Sequence, residues 1–251
     1  MEKFLAAVCA GMMVTMAGAA DACKLTFAWD PWAPYQMNEN GKLTGFDIEL
    51  FDGIARKIGC TVTYKEQSWT RSMEDLKNGK IDMVGGASLT EERKLLYNFS
   101  DAYRLEKMSL FIRKEDADNL QLNKISDIIA ADMKVSVVKD YSYGDEFDAI
   151  AEGPDGAKYV EYSVDSEHNI DKVVNKRADG FIDDELVGVY LAKKAGVFDK
   201  LSISPVEISV GNVHFMFSKK VPTEYITKIN LGIKEFESSP EYKKLVAKYT
   251  R

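Results

Sequence analysis

A strand-then-helix alternation runs through residues 23–112, stops, and restarts near residue 134. In 23–29, Leu25, Phe27 and Trp29 alternate as a half-buried strand requires. Residues 47–58 read as a helix, with Leu50, Phe51, Ile54, Ala55 and Ile58 on one side and Gly59 as its stop. A strand over 60–64, a helix over 70–78, a buried strand over 81–84 and a turn at Gly85-Gly86 follow. Thr90 is placed to cap a helix whose first turn holds Glu91 and Glu92, as the helix dipole favours. Residues 108–112 close the first set as a strand. The second set places strands at 134–138, 158–162 and 180–182, and helices at 144–151, 169–176 and 185–194. A late strand over 213–217 and helices over 224–236 and 241–249 complete the chain. This order implies a parallel sheet with helices on both faces. Two such sets imply two α/β lobes, with a ligand site beyond the carboxyl ends of the strands, in the cleft between them.

Composition narrows the function. The 251 residues carry 33 Lys+Arg against 40 Asp+Glu, a net charge of −7. A nucleic-acid partner is not expected, because phosphate neutralisation needs clustered basic residues. With only His168, His214 and three cysteines, zinc sites of the two-His or four-Cys kind are nearly excluded, and no metal is expected. Neither a dinucleotide glycine fingerprint nor a P-loop occurs, so no nucleotide cofactor is expected.

Residues 1–22 have the layout of a secretory signal peptide. Lys3 precedes an apolar run over 4–16, and Ala17, Gly18, Ala19 and Ala20 form a small-residue cleavage region. No later run of 18 apolar residues exists, so the exported chain is not expected to span a membrane. Export permits oxidation. Cys23 and Cys60 each open a predicted strand, and if those strands are parallel neighbours the two cysteines stand within bridging distance. A Cys23–Cys60 disulfide is the preferred reading. Lipidation of Cys23 is the alternative, but Ala20 stands where a lipoprotein signal would have leucine; two buried free thiols are another.

Three segments point toward a cleft. Trp29-Asp30-Pro31-Trp32-Ala33-Pro34-Tyr35 leaves a strand end rich in aromatics, stiffened by two prolines. Trp32 suits stacking on a ligand or cation, and equally suits the core. Gly86-Ala87-Ser88-Leu89-Thr90-Glu91-Glu92-Arg93 joins a strand end to a helix start, where free N–H groups and a guanidinium suit a carboxylate. A surface ion pair for Arg93 is the alternative. Phe181-Ile182-Asp183-Asp184-Glu185 places acids at a strand end, either for an ammonium or as a solvated helix start.

Four stretches carry a resemblance: Gly41-Lys42-Leu43-Thr44-Gly45-Phe46-Asp47-Ile48-Glu49-Leu50, Gly79-Lys80-Ile81-Asp82, Ser88-Leu89-Thr90-Glu91-Glu92-Arg93, and Phe99-Ser100-Asp101-Ala102-Tyr103. Together they resemble the bacterial extracellular solute-binding proteins of family 3, the periplasmic receptors of polar-amino-acid ABC transporters, over nearly the whole chain after residue 22. The resemblance implies a type II periplasmic-binding-protein fold. Two α/β lobes, 23–112 with 212–251 and 113–211, are then joined by two crossing strands and close on the ligand by hinge motion. It implies that Trp32 covers the ligand and Trp69 forms the opposite wall. Gly86 offers its carbonyl to an ammonium, Ser88 its N–H to a carboxylate, and Arg93 pairs with that carboxylate. Tyr141 and Ser142 fall at a second-lobe turn, and Asp184 falls where the family holds an aspartate for the ammonium. The turn Lys139-Asp140-Tyr141-Ser142-Tyr143-Gly144 departs from the family's initial glycine, and Asp140 brings negative charge near the carboxylate subsite. Arg71 is an added cation, suited to a second acidic group on the ligand or to solvent.

The function expected is therefore a monomeric periplasmic receptor, not an enzyme. It captures a small polar solute, an amino acid, and delivers it to an ABC transporter permease. Two alternatives stand beside it: a periplasmic dehydratase-type enzyme on the same frame, for which Asp140, Asp183, Asp184 and Glu185 lack a matched partner, and a soluble ligand sensor. A sensor fused to a kinase is not expected, since the reading ends at Arg251 with neither kinase nor membrane segment.

Overall fold

The computed structural model describes residues 23–249. The expected targeting segment, 1–22, lies outside the described residues. From the first described residues the order is β1 (Lys24–Trp29), the hairpin β2 (Met37–Glu39) and β3 (Lys42–Thr44), α1 (Phe46–Ile58), β4 (Thr61–Glu66), α2 (Trp69–Asn78), β5 (Met83–Ser88) and α3 (Glu91–Leu96). The long strand β6 (Tyr97–Arg113) leads to α4 (Asp127–Ala130), β7 (Val135–Val138), α5 (Asp145–Glu152), α6 (Gly156–Tyr159), β8 (Val160–Ser163), α7 (Ser166–Val174), β9 (Gly180–Asp184), α8 (Glu185–Lys194) and β10 (Leu201–Ile203). β11 (Ser209–Ser218) returns the chain to α9 (Thr223–Glu237) and α10 (Pro240–Tyr249).

The main sheet has nine strands in the order β4-β1-β5-β11-β6-β9-β7-β8, with β10 also paired to β6. It is mixed, not parallel as the alternation suggested. β1, β4 and β5 are parallel, as are β7, β8 and β9, but β6 and β11 run antiparallel to each other and to their neighbours. These two strands join the halves of the molecule. The start of β6 pairs with β11, and its end, Met108–Ile112, pairs with β9. Only that apolar end was legible as a strand. Its earlier part carries the polar residues Asn98, Asp101, Arg104 and Glu106, and the burial of Arg104 and Glu106 depends on contacts from distant elements.

Other boundaries moved for local reasons. Residues 38–41 hold the tip of the β2–β3 hairpin, an element the sequence reading did not name. The strand expected over 158–162 begins only at Val160, because Gly156–Tyr159 forms a helical turn. Gly85-Gly86 lies inside β5 as a bulge: Val84 pairs with Met216 and Ala87 with His214, so two glycines oppose Phe215. The first half packs Phe27, Phe51 and Phe215 against α1 and α9, whereas Leu110, Ile112, Val135, Val137 and Ile182 belong to a separate core cluster. No helix among the described residues is long and apolar enough to cross a membrane.

Cys23 and Cys60 form the disulfide expected for them. β1 and β4 are parallel neighbours with Lys24 opposite Thr61, which sets the preceding cysteines side by side. The bridge closes a sequence separation of 37 residues, worth about 3–4 kcal/mol on the chain-entropy account. Cys23→Ser with Cys60→Ser is expected to lower the melting temperature by about 10 °C, measured by scanning calorimetry against the oxidised protein.

Candidate functional site

A narrow cleft opens where β1, β5 and β6 meet the turn after β7. Asp30, Trp32, Gly86, Ser88, Arg93, Glu106, Tyr141 and Ser142 line it, with Trp69 and Met108. The loop that carries Trp32 folds back on itself: Trp32 N–H donates to the Gln36 carbonyl at 2.8 Å, and Gln36 N–H donates to the Trp32 carbonyl at 3.0 Å. This holds the indole over the β5 bulge. Gly86 sits there with φ 73°, and a Cβ on it would lie 2.6 Å from the Trp32 ring. Its N–H leaves the strand ladder and donates to the Tyr103 hydroxyl at 2.8 Å. Glycine meets both demands, positive φ and close approach of a ring.

Thr90 caps α3 as expected, accepting from Arg93 N–H. One turn in, the Arg93 guanidinium donates to the Ser88 carbonyl at 3.1 Å and the Asp140 carbonyl at 2.9 Å, and lies 5.5 Å from the Trp69 ring centre. Among the described residues these are its hydrogen-bond acceptors, and no carboxylate pairs with it. Burial lowers its pKa from the ordinary value. Asp140 also accepts from Trp69 Nε1 at 2.9 Å and, through its carboxylate, from Thr70 at 2.6 Å. Its φ of 63° turns the carbonyl toward the first half. Tyr141 stands edge-on to both tryptophans, 5.4 Å from Trp69 and 6.2 Å from Trp32, and its hydroxyl donates to Asp30 at 3.4 Å. Ser142 lines the cleft while its hydroxyl donates to Asp148 at 2.8 Å.

Two expected site residues lie elsewhere. Arg71 is more than half exposed and pairs with Asp75 at 3.2 Å, one helical turn on. It is absent from the cleft lining and shares the buried Asp75 with Lys65 and Lys80. Asp184 is 2% exposed. It caps α8, accepting from Leu186 N–H at 2.9 Å and Val187 N–H at 3.1 Å, and it accepts from the Tyr35 hydroxyl at 3.3 Å. It stands behind Tyr35, beside the cleft and outside its lining.

Sequence reasoning missed the group beside it. Arg104 is buried on β6, with Nε 3.2 Å from Asp47 and Nη1 3.9 Å from Glu106 and 4.0 Å from Asp184. Its guanidinium lies 3.6 Å from the Tyr35 ring centre and 4.9 Å from that of Trp32. One cation thus serves three buried carboxyl groups drawn from α1, β6 and the start of α8. Burial alone would lower the Arg104 pKa; the acids, Asp47 first, raise it well above the ordinary value. The acids cannot all be compensated. Burial pushes Glu106 up to about 8, and Asp30 and Asp183 each to about 7. Asp183 accepts from Trp32 Nε1 at 3.5 Å, and its other oxygen has no hydrogen-bond partner among the described residues. The missed signal was the period-2 run Arg104, Glu106, Met108, which shares one side of a strand.

Replacing Arg104 by Leu leaves those acids without a cation and is expected to destabilise the protein by about 3–5 kcal/mol in urea unfolding. The raised carboxyls also set a pH trend. Below about pH 4 both folded and unfolded chains hold these protons, and the stabilisation is complete; as pH rises through 7 and 8 the folded state must release them and the stabilisation is lost. The melting temperature is expected to fall between about pH 4 and pH 8, and Glu106→Gln should flatten that fall in calorimetric scans.

The family model described as bacterial extracellular solute-binding proteins, family 3, matches residues 25–251. A probable amino-acid-binding protein of Bacillus subtilis, YxeM, is 27% identical over 86% of this chain and 79% of its own length. An ancestral arginine-binding protein bound to arginine superposes with TM-score 0.77 at 25% identity, covering 90% of this chain and 97% of that one. The ancestral amino acid-binding protein AncCDT-1, a precursor of cyclohexadienyl dehydratase, superposes with TM-score 0.74 at 26% identity, covering 91% and 96%. With the mixed sheet, its two crossing strands and the cleft beside them, this similarity along the described length makes the chain a member of the bacterial extracellular solute-binding proteins, family 3.

Proposed function

We propose that the chain is a receptor that captures an amino acid in the cleft and hands it to an ABC transporter permease, after export to the periplasm by residues 1–22. The observation that carries this reading is Arg93, a half-buried guanidinium in the cleft wall whose hydrogen bonds, among the described residues, go to two carbonyls and to no carboxylate. Such a group is suited to an incoming carboxylate, which it can meet bidentately. In this reading the Ser88 N–H serves the same group and the Gly86 carbonyl receives the cationic end of the ligand. Trp32 and Trp69 cover the apolar part, and Tyr141 and Ser142 close the cleft from the second half.

The lobes in this reading are 23–112 with 212–251 and 113–211, hinged at β6 and β11. Contacts from one lobe hold only part of a zwitterion. Closure adds the other lobe's contacts and excludes water, which strengthens each charge pair. The ligand favours the closed state by that difference in contacts. The names of YxeM and of the two ancestral proteins, each an amino-acid binder, support an amino acid as the solute, and binding without chemistry as the activity.

Titration calorimetry of the purified protein with the L-amino acids is expected to return at least one saturable ligand. Arg93→Ala should weaken that ligand by about 100-fold or more, the loss of one charge-assisted pair. Unchanged affinity in Arg93→Ala would overturn the carboxylate assignment.

A further inference from the structure

We propose that Tyr141 sets the size limit of the ligand, so that the cleft selects amino acids with a small side chain: glycine, alanine or serine. The inference rests on the amino-acid reading above and names the class within it. The Tyr141 ring centre lies 5.4 Å from that of Trp69 and 6.2 Å from that of Trp32, at 77° to each ring. Such edge-on contacts are favourable aromatic packing. From the second half of the molecule, the ring takes up space beside both tryptophans that the apolar part of a ligand would use. The room left in the cleft is about 20 Å³, little more than one water needs.

The turn that carries the ring is fixed on both flanks. Before it, the Asp140 carbonyl accepts from Trp69 Nε1 and from Arg93, each at 2.9 Å, and the Asp140 carboxylate accepts from Thr70 at 2.6 Å. After it, Asp148 accepts from the Ser142 hydroxyl at 2.8 Å and from Tyr143 N–H at 2.9 Å. The Tyr141 hydroxyl itself donates to Asp30 at 3.4 Å. Trp32 is held as well: its Nε1 donates to Asp183, and its ring lies against Gly86.

Hinge opening admits the two charged ends of an amino acid, but its side chain has to fit beside the ring once the halves close. A long side chain must displace either the ring or the turn. Displacing the ring breaks the Asp30 bond and both edge-on contacts; displacing the turn breaks the bonds of Asp140 to α2 and α3. A side chain of one or two heavy atoms, or none, asks least of both, as overfilling a packed site is costly. Arg93, Tyr141 and Ser142 also line a larger hollow of about 550 Å³, to which Tyr143, Phe147 and Asp148 contribute. Tyr141 is a wall common to both spaces, so removing its ring enlarges the cleft toward that hollow.

The test is titration calorimetry of the full exported chain with glycine, L-alanine, L-serine, L-leucine, L-phenylalanine and L-arginine, the last being the ligand of the ancestral neighbour. The wild-type protein is expected to bind one of the first three about 100-fold or more tightly than any of the last three. Tyr141→Ala is expected to strengthen leucine, phenylalanine or arginine by about tenfold or more. Tyr141→Phe keeps the ring and loses only the bond to Asp30, and is expected to hold the wild-type ranking, each affinity within about fivefold. A wild-type protein that binds leucine, phenylalanine or arginine as tightly as the small three overturns the size limit while the amino-acid reading stands. So does an unchanged ranking in Tyr141→Ala, or a Tyr141→Phe protein that admits the large ligands as Tyr141→Ala does. If no amino acid binds either the wild-type protein or Tyr141→Ala, the amino-acid reading itself falls, and the size limit with it.

Discussion

A single buried guanidinium, Arg104, ties together three parts of the chain that are distant in sequence. Asp47 lies at the start of α1, Glu106 two residues along β6, and Asp184 at the cap of α8. An unpaired charge in such a place costs several kcal/mol; Asp47 on α1 bonds the cation directly, and Glu106 and Asp184 stand within 4.0 Å of it. The aromatic rings of Tyr35 and Trp32 lie over the same guanidinium, and this cation–π contact aligns the loop that roofs the cleft. The positions of the roof, the floor and the far helix therefore depend on one side chain with three acidic neighbours.

The cleft reuses backbone irregularity as recognition surface. The two-glycine bulge in β5 diverts the Gly86 amide to Tyr103 and lets the Trp32 ring lie against the main chain. Across the gap, the left-handed backbone at Asp140 turns its carbonyl to meet Trp69 and Arg93. That residue was read from sequence as a negative charge near the carboxylate subsite. Its carboxylate instead bonds Thr70, and what reaches Arg93 is a neutral carbonyl. The guanidinium thus keeps its charge unpaired by protein carboxylates while bridging the two sides.

Local pattern made much of this legible. The helix face of Leu50, Phe51, Ile54 and Ala55 is buried as its spacing demanded. Thr90 caps α3, and Cys23 and Cys60 meet because their strands pair in parallel. Arg93, Trp32, Trp69, Gly86, Ser88, Tyr141 and Ser142 do converge on one cleft. What escaped was the polar part of β6. A strand carrying Arg104 and Glu106 inward violates the rule that charged side chains face water, and such a violation is stable only when distant partners compensate it. Arg71, left open from sequence between a ligand acid and solvent, pairs with Asp75 one turn on along the same helix.

Periodicity and capping acting over a few residues determined most of the order of strands and helices and favoured the Cys23–Cys60 bridge, while the family resemblance pointed to Tyr141 and Ser142 in the turn after β7. Only the tertiary structure decided that two antiparallel strands cross between the halves, that Asp184 closes a helix end behind Tyr35, and that Glu106 opens onto the cleft. Those outcomes depend on which charges meet in a buried volume, and a buried charge takes its partner from wherever the fold brings one, not from its neighbours along the chain.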